Sequence, residues 1–145
     1  MISAALARVS AGAATPSIIV KVDTAPVAAA RHEVVPLDEA ALGDALRAGA
    51  LRAGLAVNGP DAAPVVVRVT AYRSGARFGG SKTATIAADV LVRGSPAGTI
   101  DCTHTAKLDL RSSEKRNATA VDGCLADLGQ AFGGRLMGVM KADGK

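Results

Sequence analysis

From Pro64 to Leu110, apolar side chains return at every second position through three consecutive runs. Period two is the mark of a strand with one buried face. In the first run, Pro64–Arg73, Val65, Val67, Val69 and Ala71 are predicted to face a core, alternating with Val66, Arg68, Thr70 and Tyr72. In the second, Thr83–Arg93, Ile86, Ala88, Val90 and Val92 point inward, with Asp89 and Arg93 outward. In the third, Thr99–Leu110, Ile100, Cys102, His104 and Ala106 share one face, and Asp101, Thr103, Thr105 and Lys107 share the other. Gly94–Gly98 reads as a hairpin turn between the last two runs. The three together predict an antiparallel meander with one apolar face.

Such a face needs a cover, and the chain supplies two helices. After the charged stretch Arg111–Arg116, predicted as a loop, Thr119-x-x-Asp122 resembles a capping box with Asp in the usual place of Glu. Val121, Leu125, Leu128, Phe132, Leu136 and Val139 then form a stripe at helical spacing. Earlier, Asp38 and Glu39 follow Pro36, where a helix dipole favours acids. An Ala- and Leu-rich helix is predicted from there to about Val57, stopped by Asn58-Gly59-Pro60. Its Leu42, Ala45, Leu46, Gly49 and Ala53 share one side. Ser17–Asp23, rich in β-branched residues, is predicted as the first strand. Thr24–Val35 reads as an irregular connection.

The predicted fold is therefore α/β of the α+β kind. It is a two-layer sandwich in the order β-α-β-β-β-α, with both helices on one face of a four-stranded mixed sheet. A chain of 145 residues suits one domain. We place it at 17–141, between a flexible arm at 1–16 and a frayed tail at 142–145. Tyr72, Phe78 and Phe132 are the only aromatic residues, so the core must be built from small aliphatic groups packed at close range. The other sheet face, with Arg68, Thr70, Tyr72, Thr103, Thr105 and Lys107, is expected to stay wet.

Few residues suggest chemistry. Cys102 falls on the inward face of the last strand, and Cys124 flanks the stripe of the helix that follows. Two readings stand open: a disulfide, implying an oxidising compartment, or two buried thiols packed as small hydrophobes. His104 lies near Cys102 and Asp101, but alternation sends Asp101 to the opposite face. Too few ligands gather there for a metal, and His32 has no partner. No cofactor is expected. Arg73–Lys82 is Gly-rich and places three cations, Arg73, Arg77 and Lys82, around Phe78. It is the candidate partner-binding loop. It lacks the order of a phosphate-binding loop and joins two strands rather than a strand and a helix. Gly129-x3-Gly133 and Gly134-x3-Gly138 are expected to serve close helix-on-sheet packing. Asn117-Ala-Thr119 matches a glycosylation sequon.

An Ala/Leu helix ends in an Asn-Gly stop and leads into Ala-Pro-Val-Val-Val-Arg-Val-Thr-Ala-Tyr. A Gly-rich basic loop, a hairpin and a closing amphipathic helix follow. From Ser17 to Lys141 this order resembles the small periplasmic domains of Gram-negative outer-membrane lipoproteins, such as the YajG type. The resemblance implies a non-enzymatic envelope protein, periplasmic or associated with the outer membrane, whose partner is another envelope protein. Such lipoproteins begin with a signal peptide ending in a Leu-x-x-Cys lipidation box. The first cysteine here is Cys102, so lipid attachment is not read from this chain.

Composition bears on the remaining classes. No run approaches the ~20 apolar residues that span a bilayer. The net charge is +4, with 17 Lys and Arg scattered among 13 acids. A cytosolic nucleic-acid-binding domain, using a basic sheet face and loop, is the alternative function. Its footprint of clustered cations and stacking aromatics is thin. No nucleophile–base pair, paired-carboxylate site or metal cluster points to an enzyme.

Overall fold

The computed structural model describes residues 15–27, 35–76 and 81–143. The expected 1–16 arm and the end of the tail, Gly144 and Lys145, therefore lie almost wholly outside the described residues. Ala142 and Asp143, expected in the tail, belong to the last helix.

The sheet has five strands, one more than expected. The elements run β1 (Ser17–Asp23), α1 (Glu39–Arg52), β2 (Ala56–Val57), β3 (Ala63–Ala76), β4 (Lys82–Val92), β5 (Ser95–Ala106) and α2 (Ser113–Asp143). The spatial order is β2-β1-β3-β4-β5. β1 pairs in parallel with both β2 and β3, while β3, β4 and β5 form the antiparallel meander.

The extra strand exists because α1 stops early. Asp38 caps its start, accepting from the Ala41 N–H at 3.1 Å. Gly54, at φ +100°, takes the left-handed conformation that ends many helices. The chain then straightens through Leu55, which is buried, and lays Ala56 and Val57 beside Ser17 and Ile18. The Asn58-Gly59-Pro60 signal therefore ends a strand rather than the helix.

α2 begins earlier than expected. Ser112 accepts from the Lys115 N–H at 3.2 Å and caps the start, so Ser113–Arg116 is helix rather than loop. Thr119, the expected cap, sits inside the helix and donates to the Lys115 carbonyl. Asn117 of the sequon is buried, which takes it out of reach of glycosylation.

The core lies between the sheet and the two helices. Ile18, Val65, Val67, Val69, Ile86 and Val90 come from the sheet, all fully buried. Leu42 and Leu46 of α1 and Leu128, Phe132 and Leu136 of α2 meet them. The helices cross on glycine: a Cβ on Gly49 would collide with the Gly129 backbone, and one on Gly133 with the Gly49 carbonyl. Gly129-x3-Gly133 thus serves helix-on-helix packing, not the helix-on-sheet contact expected of it. Gly134 and Gly138 face open space.

Two irregularities set the faces. The ladder between β3 and β4 shifts between Val69 and Ala71. An extra residue in one strand reverses the alternation beyond it. Ala71 is therefore exposed and Tyr72 buried, the reverse of the expected pattern. Tyr72 Oη donates to the Val35 carbonyl. The β4–β5 turn is also tighter than expected: Arg93 and Gly94, at φ 51° and 80°, form a two-residue hairpin. Ser95–Gly98 belongs to β5, whose ladder shifts opposite Asp89–Leu91.

Candidate functional surface

The helices cover one sheet face and leave the other open. Its middle carries a charged row across three strands: Asp23 on β1 beside Arg68 on β3, and Arg68 beside Asp89 on β4. Arg68 Nε donates to Asp23 Oδ2 at 3.1 Å. A hydrogen bond from the Ala25 N–H, reinforced by Arg68, holds the Asp23 carboxyl below its ordinary range. Beyond this row lies a threonine ladder. Thr83 faces Thr105 at 2.9 Å and Thr85 faces Thr103 at 3.4 Å between their hydroxyl oxygens. Threonine fits here because its β-branched body suits a strand while its hydroxyl stays polar. Lys21 and Arg73 add cations and Asp101 an anion, so the open face mixes signs.

Of the expected loop site, only Arg73 and Lys82 fall among the described residues. Arg77 and Phe78 lie outside the described residues. Arg73 is exposed and pairs in register with Thr85 on the open face. Lys82 pairs with Ala106 and follows the parity of Ala84, on the helix-covered side. The two cations therefore leave the sheet on opposite faces. The loop is also shorter than expected, because β3 continues to Ala76.

The structure does bring Cys102 and Cys124 together, as a disulfide with a Cα–Cα distance of 5.3 Å. It fastens α2 to β5, the last strand of the sheet. One helical turn along, His104 Nδ1 lies 3.4 Å from Asp127 Oδ2. Gly123 leaves room for the imidazole, since any Cβ there would strike the ring. The pair is half-exposed and has no third member: among the described residues, no three His, Cys, Asp or Glu gather as a metal-binding group. His32 lies outside the described residues.

Sequence reasoning missed the outer edge of β5. A groove of about 720 Å³ runs between this edge and α2, lined by Ile100, Asp101, Ala131, Gly134, Arg135 and Gly138 among others. Arg135 reaches across it to donate to the Thr99 carbonyl at 3.4 Å. Just past β5, Leu108 is 61% exposed and Leu110 wholly so. The only signal was the leucine pair itself, which reads equally well as the end of a strand. Asp109 between them is held below its ordinary range by hydrogen bonds from Arg111.

No family model matches the chain, and no curated protein matches it by sequence. Solved structures do match its fold. A minor lipoprotein from Acinetobacter baumannii superposes with a TM-score of 0.58 at 14% identity, over 86% of this chain and 92% of that one. A DUF330 protein from Xanthomonas campestris gives 0.59 at 13% identity, over 88% and 87%. The two-layer α+β fold is thus shared along nearly the full length of a Gram-negative lipoprotein, in keeping with the resemblance read from the sequence.

Proposed function

We propose that this chain is a non-enzymatic binding or structural module of the bacterial cell envelope, working on another envelope protein. The fold it shares with the Acinetobacter lipoprotein along most of both chains carries this reading. The Cys102–Cys124 bond supports it, because disulfides persist in oxidising compartments such as the periplasm. The open sheet face is the working surface. Its mixed charges favour a protein partner over the phosphate backbone of a nucleic acid. Among the described residues no helix is long and apolar enough to cross a membrane.

The test is to alkylate free thiols in the native bacterium and map Cys102 and Cys124 by mass spectrometry. The expected result is a linked pair protected from the reagent, in the envelope fraction. Two alkylated thiols in the cytosolic fraction would overturn the reading. The surface has its own test. Arg73→Glu, on the open face, should weaken partner capture by crosslinking, while Lys82→Glu should not. The opposite result would move the working surface to the helix side.

A further inference from the structure

β5 is the sheet's long outer edge, and nothing among the described residues pairs with its far side. Such an edge is a template for another strand. Three features say which strand. A groove runs along the edge, walled by Ile100 on β5 and by Ala131, Gly134 and Gly138 of α2, where side-chain bulk is missing. A few residues on, Leu108 stands exposed with no apolar surface of its own to cover it. Asp101 stands on the open face of β5, and Lys107, also exposed, follows just past the strand's end, on the open-face parity if the strand is extended.

We propose that β5 pairs antiparallel with β5 of a second copy of this chain, about a two-fold axis at His104. A two-fold contact is self-complementary, so every pairing occurs twice. This register sets Asp101 opposite the partner's Lys107. It sets Thr103 opposite the partner's Thr105, which extends the Thr83–Thr105 and Thr85–Thr103 pairs into rows of four hydroxyls. On the helix side it sets Ile100 opposite the partner's Leu108, which enters the groove. Thr99 faces the partner's Asp109, beside the Arg135 guanidinium already at the Thr99 carbonyl. At the axis the two His104–Asp127 pairs meet, so the carboxylates come together with both imidazoles present. One register, with β5 extended through Asp109 on pairing, accounts for the groove, the exposed leucine and the opposite charges of Asp101 and Lys107. A register shifted by two residues would lose the Asp–Lys match and move Leu108 away from Ile100. The pairing makes one ten-stranded sheet with a continuous open face, and it stands apart from the compartment in which the protein works.

Sedimentation of the full chain over a concentration series tests it. The wild type should equilibrate between monomer and dimer. Asp101→Lys and Lys107→Asp should each weaken the dimer by about tenfold or more, and the double exchange should recover most of that loss. Leu108→Asp should leave a monomer. All three positions are exposed, and circular dichroism checks that the fold is kept. A wild type that stays monomeric up to about 100 µM would overturn the proposal. So would self-association that the single substitutions leave intact, or a double exchange that recovers nothing.

Discussion

At the residue scale, glycine decides how closely the two helices approach. Gly129 sits against the Ala45 carbonyl, and a Cβ there would force α1 and α2 apart. Gly129→Ala should therefore lose about 1–3 kcal/mol of stability through overpacking, despite alanine's better helix propensity. Gly134→Ala, five residues along, meets no atom within 4 Å and should gain up to about 1 kcal/mol. Denaturant unfolding of the two variants measures the contrast, and equal shifts would mean the helices do not cross on glycine. The Gly-x3-Gly spacing was visible in the sequence, but its partner was not, because Gly49 lies eighty residues away. Tyr72 shows a second limit. Strict alternation sent it outward, and the extra residue at Val69–Ala71 turned it inward. No glycine or proline marks that irregularity.

At the scale of elements, the disulfide joins two neighbours that packing already holds together. Closing a loop of this length contributes about 2–4 kcal/mol, by restricting the unfolded chain. Cys102→Ser with Cys124→Ser should lower the thermal midpoint accordingly while leaving the strand and helix content unchanged. A drop too small to measure would assign the hold of α2 on β5 to Leu125, Leu128 and Phe132 alone. Both cysteines were legible as a candidate pair from strand parity and helical phase. The placement of Arg73 and Lys82 was not, since the two ends of one loop leave adjacent strands on opposite faces. The start of α2 was missed because two signals compete. Thr119 suits a cap, but Ser112 takes that place by accepting from the Lys115 N–H, and Arg116, Asn117 and Ala120 are buried within the helix it starts.

For the whole molecule, the layers and nearly all the elements follow from periodicity, but the order of strands does not. Period and turn residues act locally, whereas the sheet order depends on which distant edges meet. β1 lies between β2 and β3, bonded to both. A chain beginning at Thr24 would lose both ladders and the buried Ile18 and Val20, and it should show no cooperative melting transition by circular dichroism. A sharp transition would mean that the meander and two helices suffice. The placement of β1 also shapes the chain's birth. Both of its partners are made about forty residues later. As the chain emerges from the ribosome or a secretion channel, Ser-Ile-Ile-Val must wait as an unpaired, sticky segment. Lys21 and Asp23 stand at its end as charged gatekeepers against pairing with the wrong chain.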